Sequence, residues 1–260
     1  MSGSLILQEL GIVVAMQQPN PSLVTVEFLK LSGVIPTEWQ LARQPVNNEE
    51  ISQLLFTNGV SIVVEPNRIM FGESIGEKEI NTLTVAQIAI TYLNIFKVAG
   101  YQAIGINIRS YSAQPSQLAA TQYINHQLLA DGSWQNYGIA PIQTALNVIY
   151  TLEGRQLTLS VNAAGIQFAE QEVTPVILFS GNFSYQLATP TAMGDLAAAS
   201  QILTNWREDL TAYSELINER FLKSQPPTFD IPTATQIGQD DLAGLDIVYA
   251  PDIFPKIVMA

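Results

Sequence analysis

The chain of 260 residues contains no cysteine and only one histidine, His126. The lack of cysteine excludes disulfide scaffolds, thiol catalysis and thiolate ligation of zinc or iron–sulfur clusters. Charged residues are also scarce, at 13% of the chain, and Lys plus Arg number 11 against 23 Asp plus Glu. The resulting net charge of -12 disfavours contact with nucleic acid and with anionic membrane surfaces, because both are negatively charged.

The glycine-rich motifs for nucleotide binding are missing as well. The sequence contains no GxGxxG and no GxxxxGK[ST]. His126 falls in a predicted helix over 115–130, so we interpret it as a partly exposed helix residue. A metal site on one histidine would need carboxylates at ligand spacing, which are not seen. We therefore predict no catalytic residue, no metal and no cofactor.

Signals for secretion or membrane insertion are weak. The first four residues lack a basic region, and Gln8 and Glu9 interrupt the apolar run that follows, so no signal peptide is expected. The longest apolar helical segment, 85–100, includes Lys97 and two side-chain amides, which makes it too polar to span a bilayer. We expect a soluble, cytoplasmic protein.

Hydrophobic residues make up 47% of the chain, enough for a sizeable core. Strand patterns are predicted over 5–16, 23–31, 51–73, 101–111, 142–161 and 176–187, and helices over 84–99, 115–130 and 195–223. Runs of strands followed by helices predict an α+β fold with antiparallel sheets in two similar halves, packed with two main helices of which the last is long.

Two hairpins are predicted together with their register. Asn58-Gly59 is a strong signal for a two-residue turn, and Glu153-Gly154 is a second turn candidate. Apolar residues should face each other across each turn. The predicted pairs are Leu55–Ile62 in the first hairpin, and Tyr150–Leu157, Val148–Leu159 and Leu146–Val161 in the second.

The predicted organisation is an N-terminal α+β half over 1–140, a C-terminal hairpin and long-helix half over 141–224, and an acidic, proline-containing tail over 225–260. A single domain is the alternative, and no residue-level repeat supports a duplication. The tail is expected to dock on the body through its apolar residues Ile247, Tyr249, Ile253 and Phe254.

The predicted long helix carries apolar residues at alternating spacings of three and four, which is a heptad-like seam. Its centre consists of Leu203, Trp206, Leu210, Tyr213 and Ile217. This seam either packs along the chain's own sheet or meets another helix in a partner or a second copy. We treat it as a candidate interaction seam, with Trp206 and Tyr213 as the expected anchors.

A second candidate is a polar groove on the predicted strand 101–111, where Asn107, Arg109 and Tyr111 share the face opposite the isoleucines. These side chains suit an anion or a peptide, although a solvated sheet face is the favoured explanation. The carboxylates Glu208, Glu215 and Glu219 lie opposite the seam and are interpreted as a solvated helix face.

The segments 34–43, 56–60 and 65–68, which read VIPTEWQLAR, FTNGV and EPNR, resemble conserved cyanobacterial proteins of unknown function over roughly residues 23–112. The order of strands, Pro-Asn-Arg turn, helix and strand is distantly similar to a sporadically distributed, uncharacterised bacterial family. The resemblance implies a bacterial cytoplasmic setting and supplies no activity.

These observations favour a non-catalytic protein that acts through protein–protein interaction, as an assembly or regulatory component. Its partner is another protein or a second copy of the chain, and no nucleic acid or membrane insertion is expected. The alternative is a small-molecule or anion-binding protein, or an enzyme, that uses the polar sheet face around Arg109.

Overall fold

The structure is a computed structural model that describes residues 4–16, 19–96, 100–139, 142–167, 173–187 and 194–223. Its centre is one nine-stranded sheet in the order β2-β3-β4-β5-β1-β6-β9-β8-β7, in which neighbouring strands run antiparallel. The strands are β1 (Leu5–Met16), β2 (Val46–Asn47), β3 (Ser52–Leu55), β4 (Val60–Glu65), β5 (Arg68–Ser74), β6 (Tyr101–Ala113), β7 (Ala145–Leu152), β8 (Arg155–Ile166) and β9 (Thr174–Gln186).

The described residues also form five α-helices, so the predicted α+β class is confirmed. They are α1 (Val26–Leu31), α2 (Val85–Phe96), α3 (Gln117–Gln122), α4 (Gly194–Thr204) and α5 (Trp206–Leu216). Single π-helical segments follow α3 at Tyr123–Leu128 and α5 at Ile217–Leu222, and short 3-10 helices occupy Pro21–Leu23, Ile80–Thr82 and Ser133–Asn136. No helix in this part of the chain is both long and apolar enough to cross a membrane.

One face of the sheet forms the core, because alternate residues on every long strand are apolar. A single row of paired residues crosses eight strands: Leu54, Ile62, Phe71, Ile12, Ile106, Phe183, Leu157 and Tyr150. All of them except Tyr150 on β7 are buried. Helices α2, α4 and α5 pack over the middle of this face, and α3 packs over β8 and β9. We call the opposite side of the sheet the open face.

The element order repeats along the chain. β1, α1, the meander β3-β4-β5 and α2 are followed by β6, α3, the meander β7-β8-β9 and helices α4 and α5. The first strands of the two sets, β1 and β6, pair at the middle of the sheet, which places β3 and β7 as the outer strands of the two meanders. The outer strand β3 is covered by the short strand β2, whereas β7 is the last strand of the sheet.

Two predicted elements differ from the structure. Residues 23–31 form a 3-10 turn and helix α1 instead of a strand, because the Thr25 hydroxyl accepts a hydrogen bond from the Phe28 amide at 3.1 Å and caps a helix. The helix predicted over 195–223 is interrupted at Asn205, which has φ -91° and ψ 8° and separates α4 from α5. The predicted tail, 225–260, lies outside the described residues.

The second hairpin register is confirmed, and the first is wrong by one residue. β7 and β8 pair Tyr150 with Leu157 as predicted. In the first hairpin Leu54, rather than Leu55, lies opposite Ile62. The Gly59 amide donates to the Phe56 carbonyl at 3.0 Å and Gly59 has φ 80°, so the turn is one residue longer than Asn58-Gly59 alone.

Candidate functional site

The candidate interaction seam is part of the core. Leu203, Trp206, Leu210, Tyr213 and Ile217 all belong to the main buried cluster, and the most exposed of them, Leu210, is 7% exposed. The seam therefore packs along the chain's own sheet, which was one of its two interpretations. Since helix and sheet already cover these side chains, they are not available as a surface on the folded chain. Glu208, Glu215 and Glu219 are exposed, as predicted for a solvated helix face.

Polar contacts hold the seam in place. The Tyr213 hydroxyl lies 2.7 Å from the Ser110 hydroxyl and donates to the Phe179 carbonyl at 3.0 Å, so both its partners are on the central strands β6 and β9. A buried hydroxyl with two partners avoids the cost of an unmade hydrogen bond. Tyr213 thus acts as a positioning residue for α5 on the sheet.

The candidate polar groove lies on the open face, with all three of its side chains half-buried. Arg109 Nη1 is 3.7 Å from Glu9 Oε2 on β1, and the Asn182 side-chain amide donates to Asn107 Oδ1 at 2.6 Å. Tyr111 packs against a small buried cluster on the same face that contains Leu178. The structure thus places the three predicted residues together, although Arg109 and Asn107 already have partners within the protein.

Glu9 is the residue of this face that the sequence analysis did not assign to the site. Burial raises the pKa of Glu9 from 4.5 to about 7, and the nearby Arg109 guanidinium acts in the opposite direction. The pair therefore changes its net charge near neutral pH. The signal for Glu9 in the sequence is an acidic residue next to Gln8 within a strand that is otherwise apolar.

A buried ionic cluster between β8, β9 and α5 was also missed. Asp209 is 1% exposed, its two carboxylate oxygens lie 2.9 and 2.8 Å from the Tyr185 hydroxyl, and Arg155 Nε lies 2.9 Å from Oδ1. The Arg155 contact is an ion pair outside good hydrogen-bond alignment. Burial raises the pKa of Asp209, whereas the Tyr185 hydrogen bond and Arg155 lower it. Asp209 is three residues after Trp206 and four residues before Tyr213, and this helical spacing places it on the buried face of α5.

A shallow polar cleft of about 630 Å³ surrounds the π-helical segment after α3. Half of its ten lining residues have amide or hydroxyl side chains, and His126 and Asp131 add titratable groups: Leu118, Thr121, Gln122, Asn125, His126, Asp131, Gly132, Gln135, Asn136 and Ile142. His126 Nδ1 lies 2.8 Å from Asp131 Oδ1, and that hydrogen bond lowers the pKa of Asp131. His126 is exposed, as predicted for a helix residue.

The remaining candidate surface is the free edge of the sheet at β7. Side chains on this strand alternate between exposed and half-buried along all eight residues, and Ile149 is 58% exposed. Strand β7 contains no charged residue and no proline. Its main contact within the described chain is with β8.

Within the part of the chain that the structure describes, no group of three or more His, Asp or Glu side chains is placed to hold a metal ion. No protein-family model matches the chain, and no curated protein gives a significant match.

Proposed function

We propose that this protein acts through protein–protein interaction, as an assembly or regulatory component, and that its binding surface is the free edge of β7. The observation that supports this most directly is that, among the described residues, no protecting feature lies on that edge. Sheet edges in natural proteins are usually shortened, charged, interrupted by proline or covered, because their unpaired backbone groups attract other strands. Strand β7 is eight residues long and has neither charge nor proline.

The two meanders of the chain allow a direct comparison. The equivalent outer strand β3 is covered by β2, a strand of only two residues that follows Pro45. One edge of the sheet is therefore blunted by a very short strand, while the other ends in a long, uncharged one. Of the two edges of the described sheet, β7 is thus the longer one and the better suited to strand addition.

Backbone hydrogen-bond geometry determines which groups are free on β7. In a two-residue hairpin the pair that closes the turn, here Leu152 and Arg155, is hydrogen-bonded, and hydrogen-bonded pairs alternate along the ladder. The amides and carbonyls of Asn147, Ile149 and Thr151 consequently point away from β8. These are the groups that an added strand would bind.

Exposed apolar residues adjoin the same end of the sheet. Trp134, Tyr137 and Ile139 are 48%, 89% and 107% exposed. Their loop is tied to the beginning of β7 through Asn125, whose backbone carbonyl accepts from Gln135 and whose side chain accepts from Thr144. These side chains add exposed apolar surface near the beginning of the strand.

The proposed function is tested by hydrogen exchange and by edge variants. Partner binding from native extract should be lost in Asn147→Pro and Ile149→Lys, because the first removes an outward amide and the second places a charge on the edge. Leu31→Lys, which alters a residue 90% exposed on α1, is the matched control and should bind normally. In the complex, the amides of Asn147, Ile149 and Thr151 should become protected. Binding that survives both edge variants would overturn the proposal.

A second candidate function is anion binding at the polar groove around Arg109. It is supported by the position of Arg109 beside Glu9, whose raised pKa leaves the guanidinium partly uncompensated below about pH 7. Titration calorimetry with inorganic phosphate at pH 6 and pH 8 tests it. Binding that is stronger at pH 6 and is lost in Arg109→Gln is expected, and equal heats for the wild type and the variant would refute it.

A further inference from the structure

We propose that β7 pairs antiparallel with β7 of a second copy of this chain, so that the sheets of two copies become continuous. This inference rests on the proposed function of β7 as a binding edge and names its partner. The chain already uses the same arrangement internally, since the first strands of its two similar element sets, β1 and β6, pair antiparallel at the centre of the sheet.

The sequence of β7 is complementary to itself in one register. With the two-fold axis at Ile149, this residue lies opposite Ile149 of the other copy, and residues with outward backbone groups pair with each other. On the open face Asn147 then lies opposite Thr151, and on the core face Val148 lies opposite Tyr150 and Leu146 opposite Leu152. Each apolar side chain that β7 leaves half-buried thus gains an apolar neighbour.

Charge does not oppose this occupant at the strand itself, although each copy has a net charge of -12. Strand β7 carries no charge, and Glu153 at its end lies opposite Ala145 of the other copy. No like charges face each other across the pair, whereas repulsion between the two acidic bodies acts over longer distances and is screened by salt. A pairing of one strand per copy is small for an interface, so the dimer should be weak and favoured by salt.

The absence of cysteine from the chain makes the register directly testable by cross-linking. Directly opposite hydrogen-bonded residues have Cα atoms about 5.5 Å apart, which suits a disulfide. The Ile149→Cys variant should therefore form a covalent dimer under mild oxidation. Thr151→Cys is the matched control, because the two copies of residue 151 would be about 13 Å apart along the strand. A mixture of Asn147→Cys and Thr151→Cys should cross-link with each other.

Sedimentation of the wild type complements the cross-linking. A shift from monomer to dimer with increasing concentration is expected, with complete loss of the dimer in Ile149→Lys and no change in Leu31→Lys. Ile149 is exposed on the monomer, so its substitution should leave the fold intact, as checked by circular dichroism. Cross-linking of Ile149→Cys no greater than that of Thr151→Cys would overturn the self-pairing.

The remaining outcomes separate the two proposals. In one outcome the wild type stays monomeric and binds a different protein, and the Asn147→Pro variant does not bind that protein. This result would refute self-pairing but would still support β7 as a binding edge. Protection of the Asn147, Ile149 and Thr151 amides in a dilute monomer would mean that another part of the same chain covers β7. That result would overturn both proposals.

Discussion

The aromatic ring of Tyr213 lies directly over the backbone of Gly181. A Cβ atom placed on Gly181 would be 2.7 Å from both Cδ2 and Cε2 of that ring, closer than side chains approach each other. The ring has no freedom to move aside, because its hydroxyl is held by Ser110 and by the Phe179 carbonyl. A glycine in the middle of β9 thus allows α5 to reach the sheet, where it completes the core.

Substitution Gly181→Ala should lower the free energy of unfolding by about 1 to 3 kcal/mol through overpacking. Gly11→Ala is the control, since a Cβ there would meet its nearest neighbour at an ordinary 3.5 Å. The control should change stability by less than about 0.5 kcal/mol. Urea denaturation of the three proteins measures both values. Equal stabilities for the two alanine variants would contradict the contact between Tyr213 and Gly181.

The Asp209 cluster predicts a strong dependence on Arg155. Arg155→Met leaves the buried carboxylate without its cation while keeping most of the packing, and should cost about 3 to 5 kcal/mol at pH 7. Adding Asp209→Asn should recover much of that loss, because an uncharged amide is less costly to bury and still accepts from Tyr185. Thermal or urea unfolding of both variants gives the answer. If the double variant is no more stable than Arg155→Met alone, the unpaired charge of Asp209 is not the cause of the lost stability.

The elements that the sequence predicted well are those defined by local pattern. Strand β1 has the predicted bounds, and the hairpin of β7 and β8 has the predicted register, because Glu153-Gly154 is a compact turn between strictly alternating strands. The first hairpin was wrong because Phe56 pairs with Val60 and Thr57 becomes part of the turn, which the dipeptide Asn58-Gly59 does not reveal.

The candidate sites were harder to predict because they depend on strand order. The grouping of Asn107, Arg109 and Tyr111 followed from the period of one strand, whereas Glu9 comes to Arg109 only through the pairing of β1 with β6. Burial of the seam similarly depends on which sheet face α5 covers. The free edge at β7 is defined by the order of all nine strands, which local patterns do not specify.

The turn at Gly59 yields a further prediction. Its φ of 80° is unfavourable for a β-branched residue, and a Cβ there would lie 3.2 Å from the Ser74 Cβ. Gly59→Val should therefore lower stability by about 1 kcal/mol or more. Gly59→Asn is the comparison, since asparagine adopts positive φ more readily and should cost less. Differential scanning calorimetry ranks the two variants, and the opposite ranking would argue against strain at this turn.

The last prediction concerns how stability varies with pH through Glu9. Because the folded-state pKa of about 7 is above the ordinary value of 4.5, the folded protein retains a proton that the unfolded chain has released between these values. The contribution of Glu9 to the free energy of unfolding therefore falls as pH rises from 4.5 to 7, by roughly 3 kcal/mol at most.

Glu9→Gln removes this titration, so the variant should gain stability relative to the wild type at pH 8 and little at pH 5. Part of the gain at pH 8 is offset, because Arg109 loses its partner in the variant. Urea denaturation at both pH values, with the exposed residue change Glu38→Gln as the control, measures the difference. A stability difference between Glu9→Gln and the wild type that does not change with pH would show that Glu9 is ionised in the folded protein throughout this range.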